Sequence, residues 1–277
     1  MLNVLVAGYG KMGKMIVETI EQSDDMKVVM IADGTNHPDV STLQEHVNII
    51  IDFSHPDNLT WIKPFVLEHA CAYICGTTGH NDIQKRQVEE LSSVAPVVFQ
   101  ANFSLGIAVF QEVLQMITPM LEESFDMEVV EKHHNQKQDA PSGTAKMLVA
   151  AMNREHTYRE VHGRNGFVGK RQKEIGIHAV RGGTVAGEHD VYFFGDDEIF
   201  EIKHTANSRK IFVNGALRAA RFAVTQKPGY VYHEGYSVRI RRSHGRKGNY
   251  RIYTKRRKKD TGKGVSEGKK AGCFSGL

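Results

Sequence analysis

Val4-Leu5-Val6-Ala7-Gly8-Tyr9-Gly10-Lys11-Met12-Gly13 decides the fold. Four apolar residues without a polar break read as a strand buried on both faces. The spacing Gly8, Gly10, Gly13 directly after it, opening a helical pattern, is that of a loop shaped for a dinucleotide pyrophosphate. Gly8 permits the tight turn, Gly10 lets the backbone approach the phosphates, and Gly13 lets helix and strand pack closely. The helix N-terminus adds amide donors and the positive end of its dipole. Working outward, the pattern predicts a strand over Leu2 to Ala7, a helix over Lys11 to Gln22, and a second strand over Lys27 to Ala32. Asp33 ends that second strand, where a carboxylate can accept hydrogen bonds from the adenosine ribose. A carboxylate there repels a 2′-phosphate and Gly34 rather than Arg follows it, so NADH is expected in preference to NADPH.

Further short apolar runs at Val47 to Phe53, Ala72 to Cys75 and Val97 to Gln100 alternate with helical stretches, the rhythm of a doubly wound parallel sheet. Residues 106 to 122 predict an amphipathic helix, kinked or ended near Pro119. Beyond it the texture changes to alternating strands over Met127 to Glu131 and Glu174 to Val180, with a hairpin from His189 to His204 turning at Gly195-Asp196-Asp197. A last helix over Arg209 to Gln226, stopped by Lys227-Pro228-Gly229, is expected to return to the first domain. The expected fold class is therefore α/β: a Rossmann-like doubly wound parallel sheet over residues 1–102, an inserted α+β mixed-sheet domain over 103–208, and the returning helix over 209–230.

No apolar run approaches the roughly 18 residues of a membrane span, and Met1 to Ala7 has neither a basic leader nor a cleavage site, so a cytoplasmic protein is expected. Cys71, Cys75 and Cys273 are odd in number and sparse, which fits reduced thiols; the lone Cys71/Cys75 pair lacks two further zinc ligands, so no metal is expected. The net charge of +4 conceals an asymmetry, because residues 231–277 hold 14 Lys and Arg against 3 Asp and Glu. That segment, with Arg239-Ile240-Arg241-Arg242 and Lys255-Arg256-Arg257-Lys258-Lys259, reads as a basic disordered tail. Its functional alternative is a non-specific polyanion arm drawn to nucleic acid by counterion release.

The chemistry concentrates in Glu131-Lys132-His133-His134-Asn135-Gln136-Lys137-Gln138-Asp139-Ala140-Pro141-Ser142-Gly143-Thr144-Ala145. An alternating strand delivers His133, His134 and Lys137 into a loop, and Ser142 is placed to cap the helix that follows. The amides of Gly143 and Thr144 with the Thr144 hydroxyl then form a nest for a carboxylate, to which Lys137 adds a full positive charge. A histidine titrates near neutrality and suits general-acid work. Fingerprint and cluster together imply a nicotinamide-dependent reductase of an acidic substrate.

This cluster closely resembles the signature of the dihydrodipicolinate reductase family of the diaminopimelate and lysine pathway. Asp52-Phe53-Ser54-His55-Pro56, Gly76-Thr77-Thr78-Gly79, Ala101-Asn102-Phe103-Ser104-Leu105-Gly106, Val185-Ala186-Gly187-Glu188-His189 and Asn214-Gly215-Ala216-Leu217-Arg218 agree with it, so the likeness covers roughly residues 1 to 230. The resemblance implies that the second domain binds a cyclic dicarboxylate and builds a homotetramer. It makes His133 the acid/base residue and Lys137 a proton donor or charge stabiliser, with His134, Ser142, Gly143 and Thr144 at the substrate. It lines the cofactor, NADH or NADPH, with Gly8, Tyr9, Gly10, Lys11, Met12, Gly13, Asp33, Gly76, Thr77, Thr78, Ala101, Asn102 and Phe103. A different nicotinamide dehydrogenase of an amino-acid-like substrate would share the first domain without needing the His-His-x-x-Lys and Ser-Gly-Thr pairing.

Overall fold

The computed structural model describes residues 1–33, 40 and 43–231. The basic segment read as a tail lies outside the described residues from 232 onward, as do Gly34 and Cys273. Two sheets organise the chain. The first has six parallel strands, in the order β11-β5-β4-β3-β1-β2: β1 (Leu2–Ala7), β2 (Met26–Ala32), β3 (Ile49–Asp52), β4 (Ala72–Cys75), β5 (Pro96–Phe99) and β11 (Gly229–Tyr230). Side chains alternate across a strand, so each strand feeds two cores. Val4, Val6, Ile49, Ile51 and Ile74 pack on one face under α1 (Lys11–Glu21) and α6 (Lys210–Ala223). Leu5, Ala7, Ile50, Tyr73 and Cys75 pack on the other under α2 (Leu59–His69) and α3 (Asp82–Leu91). Burial on both faces is why these strands carry unbroken apolar runs.

The second sheet, ordered β10-β9-β6-β8-β7, has five strands: β6 (Asp126–His133), β7 (Arg159–His162), β8 (Glu174–Arg181), β9 (Gly187–Phe194) and β10 (Ile199–Ala206). β6 pairs antiparallel with β9 and parallel with β8, which makes this sheet mixed. Met127, Val129, Ile175, Ile177, Val191 and Phe193 point to one face, covered by α4 (Leu105–Leu121) and α5 (Gly143–Met152). The α/β class and the pairing of a parallel with a mixed sheet are as expected.

α4 carries Pro119 in its last turn and stops at Leu121, near that proline as expected. Two local elements differ from the sequence reading. Gly229, read as part of a helix stop, forms the sixth strand with Tyr230 by pairing with Pro96 and Val97. Two residues are too few to carry a period. β7 is an edge strand of Arg, Glu, Val and His whose residues are mostly exposed, so it carries no apolar alternation to find.

Candidate active site

In an open parallel sheet a ligand lies outside the carboxyl ends of the strands, where the strand order reverses. Here that point falls between β1 and β3, since the chain leaves β1 for β2 on one side and β3 on the other. The Gly8 turn sits there with φ +89°, and a Cβ would come within 2.7 Å of the Phe53 carbonyl oxygen. A Cβ on Gly13 would stand 1.9 Å from the Gly8 carbonyl oxygen, so the turn and the first helical residues require glycine. Gly10 caps α1 with extended backbone, and Tyr9, Gly10 and Lys11 are exposed at its mouth while Met12 is half-buried. Asp33 follows β2 directly, beside the Gly8 amide that bonds to the Ala32 carbonyl at 2.6 Å. These features suit a dinucleotide pyrophosphate and its ribose.

The next two loops are tied together by Asp52, buried at the end of β3. Its Oδ1 accepts from Ser54 Oγ at 2.5 Å and Thr77 Oγ1 at 2.8 Å, and its Oδ2 from Tyr73 Oη at 2.7 Å. Burial pushes this carboxyl above its usual range, against those hydrogen bonds. Thr77 Oγ1 also accepts from the Ser54 amide at 2.7 Å. The Thr77 side chain is therefore committed inside the loop, and Gly76 and exposed Thr78 are left beside the cleft. Ala101 is exposed and Asn102 half-buried, whereas the Phe103 ring turns into the core, 5.6 Å from Phe53.

The proton-bearing groups come from β6, β8 and β9. Strand alternation that buries Met127 and Val129 carries Glu131 and His133 onto the same face at the strand end. Glu131 lies opposite His189, and His133 opposite Arg181. His133 Nδ1 donates to Glu131 Oε2 at 2.5 Å, and the His133 and His189 rings meet edge to face at 5.1 Å. Burial, then the neighbouring His133 charge, pushes His189 down to about 4, so His189 is neutral at neutral pH. Ser142 Oγ caps α5 through the Ala145 amide at 3.1 Å and meets His189 Nε2 at 3.1 Å, while the Ser142 amide bonds to Glu131. Ser142, expected among the substrate ligands, is thus buried behind the nest, with its polar atoms already partnered.

The loop from His134 is pinned by its amide to the Val185 carbonyl at 2.8 Å and by the Lys137 amide to the His134 carbonyl at 3.1 Å. Lys137 Nζ donates to Asp139 Oδ1 at 2.7 Å. Although burial opposes ionisation of Asp139, Lys137 and the Gly143 amide hold its carboxyl below the usual range. The cation and the helix N-terminus therefore already hold one carboxylate, supplied by their own loop. Asn102 Nδ2 donates to Thr144 Oγ1 at 2.9 Å, so the nest abuts the stretch that follows β5. His134 lies near both ends of the cleft: partial burial, then the charges of Arg209, His133, Lys137 and Lys11, lower its affinity for a proton.

The structure thus gathers His133, His134, Lys137, Gly143 and Thr144 at the end of β6 and the start of α5, with Thr144 bonded to Asn102 and His134 within electrostatic reach of Lys11. It adds groups for which sequence reading had no role: Glu131, Arg181, Gly187, His189, Asp52 and Arg209. The visible signal for Asp52 was a single acid closing an apolar strand, and Glu131 and His189 stood inside quoted motifs without a role of their own. Arg181 and Arg209 had no signal, because strand pairing and helix return bring them in. Among the described residues no His, Cys, Asp and Glu cluster could hold a metal ion.

Comparison with known proteins identifies the family. Residues 2–103 match the family model described as dihydrodipicolinate reductase, N-terminus, and residues 106–234 match its C-terminus counterpart. A 4-hydroxy-tetrahydrodipicolinate reductase of Brachyspira hyodysenteriae is 40% identical over 230 residues, covering 82% of this chain and 96% of the relative. One of Methanocaldococcus jannaschii is 39% identical over 261 residues, covering 83% and 94%. A dipicolinate-bound dihydrodipicolinate reductase from Paenisporosarcina sp. TG-14 shares the fold with TM-score 0.68 at 22% identity, over 85% of this chain and 98% of that one. With residues 2–103 and 106–234 matching the two family models, the chain belongs to the dihydrodipicolinate reductase family.

Proposed function

We propose that this chain reduces 4-hydroxy-tetrahydrodipicolinate to tetrahydrodipicolinate in the diaminopimelate route to lysine, acting as a nicotinamide-dependent oxidoreductase. The observation that carries the reading is the bond from Asn102 to Thr144, which sets the carboxylate nest beside the cofactor end of the parallel sheet. The ring's 4-hydroxyl and a neighbouring hydrogen leave as water to give a conjugated C=N system, and a reduced nicotinamide, when bound, supplies the hydride that adds to it. Lys137, the Gly143 and Thr144 amides and the Thr144 hydroxyl hold the ring carboxylates, displacing Asp139 from Lys137 as the substrate enters. His134 and Arg209 lie beside the same cleft, where Arg209 adds positive charge for a second carboxylate. His133 gives the proton that quenches the electron density left by hydride addition, and Lys137 stabilises that charge or shares the proton transfer.

Asp33 favours NADH over NADPH, and comparison of kcat/KM for the two cofactors tests this: a clear preference for NADPH would refute it. The open face of the second sheet supports a homotetramer. Val180, Phe194 and Ile199 are exposed there, and beside them Lys132 and Lys203 pair with Glu188 and Asp190. Light scattering giving a mass other than four chains would refute that assembly. No helix among the described residues is long and apolar enough to cross a membrane. The reading places the enzyme in the cytoplasm, with the soluble nicotinamide pool. The deciding assay is oxidation of NADH driven by freshly generated substrate. No oxidation above the substrate-free rate would end the proposal.

A further inference from the structure

Glu131 is wholly buried, yet it accepts four hydrogen bonds from three elements. His133 Nδ1 reaches its Oε2 at 2.5 Å, Arg181 grips both oxygens at 2.8 and 2.7 Å, and the Ser142 amide reaches Oε1 at 3.0 Å. We propose that Glu131 is the positioning residue of this site, a single carboxylate that selects the His133 tautomer and locks the acid/base imidazole to the helix that forms the carboxylate nest. The activity part of this inference rests on the proposed reaction; the tautomer part does not.

Although its burial opposes ionisation, hydrogen bonds from His133, Arg181 and Ser142 hold Glu131 down to about 2, so it is an acceptor at neutral pH. His133 Nδ1 must then carry the hydrogen, and Nε2 is left to give or take the transferred proton. The Nε2 edge lies against Gly187, where an added Cβ would come within 3.0 Å of it, so only a residue without a side chain keeps that edge clear.

The groups facing His133 are Glu131 on β6, Arg181 on β8, His189 on β9, and His134 and Lys137 in the loop. Glu131 is the acid that touches its ring; Lys137 is paired with Asp139, and His189 is neutral. An ion pair that merely joined β6 to β8 would engage Arg181 alone. Here Oε2 is shared with the imidazole and Oε1 with the amide at the cap of α5, so a shift of Glu131 would move the proton donor and the anion nest together.

Glu131→Gln makes the consequence sharp. The amide oxygen stays at the Oε1 position, where an NH2 would oppose both the Ser142 amide and Arg181 Nη2, whereas at the Oε2 position it opposes Arg181 Nη1 alone. The NH2 then faces Nδ1, which must become an acceptor, and the neutral ring is forced to carry its hydrogen on Nε2. The experiment is imidazole 15N NMR of the full chain, with His133 assigned by the signal missing from His133→Asn, alongside pH-dependent kinetics. In the wild type the neutral His133 ring is expected to be protonated on Nδ1, and in Glu131→Gln on Nε2. The pH profile of kcat/KM should move once the anion beside the ring is gone. The kcat value should fall by at least about tenfold, with NADH affinity held within about twofold.

A wild-type ring protonated on Nε2 when neutral would overturn the inference without any variant. So would a Glu131→Gln enzyme with an unmoved pH profile, or one whose NADH affinity falls as far as its kcat. A wild-type protein that does not oxidise NADH with the substrate would count against the proposed reaction instead, and the NMR result would still decide the role of Glu131.

Discussion

Thr144→Val separates the anion nest from the rest of the machine. Valine keeps the shape of threonine but removes the hydroxyl, which does two things here. Its oxygen accepts the Asn102 Nδ2 hydrogen at 2.9 Å, and its hydrogen is left to point at a bound carboxylate. Hydrogen bonds to a charged group contribute about 1.5–3 kcal/mol, and each 1.4 kcal/mol is about tenfold in affinity, so the substrate KM should rise roughly ten- to one-hundred-fold. Losing the Asn102 partner adds about 1 kcal/mol, felt as looser docking of the nest on the parallel sheet and a smaller fall in kcat. Thr144→Ser keeps both bonds and should stay within about threefold of the wild type. Steady-state kinetics on freshly generated substrate, with NADH binding followed by its fluorescence, distinguishes the variants. NADH affinity should hardly change, because Thr144 belongs to α5 and not to the glycine turn. A Thr144→Val enzyme whose substrate KM matches that of Thr144→Ser would refute the nest as the substrate's anchor.

His133→Ala should lower kcat by about 10²- to 10⁴-fold with little change in NADH affinity, whereas Lys137→Ala should lower both kcat and substrate affinity; near-normal turnover in both would remove them from the mechanism. Gly187→Ala crowds His133 Nε2, and the ring cannot retreat because Glu131 holds its other edge, so kcat should fall about tenfold or more while NADH still binds. Stability should also depend on acid. Glu131 sits at about 2 when folded against an ordinary value of 4.5, so its contribution is complete above the ordinary value and is lost as the pH falls from there through 2. The difference in unfolding free energy between wild type and Glu131→Gln should shrink by roughly 3 kcal/mol over that window, and denaturation curves with a pH-independent difference would contradict it.

The legible parts of the molecule are those where one local rule dominates. Buried parallel strands need unbroken apolar runs, so β1, β3, β4 and β5 were visible; Gly8 and Gly13 were visible because any Cβ there meets backbone. The Ser142 cap was visible because a helix start has few ways to satisfy its amides, although burial gave its remaining atoms to Glu131 and His189 rather than to a ligand. Thr77 and Phe103, expected among the residues lining the cofactor, turn their side chains to Asp52 and the core. β7 and β11 left no period to detect, since one is an exposed edge and the other is two residues long.

What this chain's order of residues determined alone was therefore the alternation of elements, the glycine turn after β1, and the presence of two histidines and a lysine next to a helix cap, all local in the sequence. Tertiary structure decided which buried acid holds which histidine, because Glu131 meets Arg181 across 50 residues and Thr144 meets Asn102 across 42. Such partners are chosen by strand register and by how one sheet packs beside the other. A shift of one residue in β6 would turn Glu131 and His133 to the opposite face.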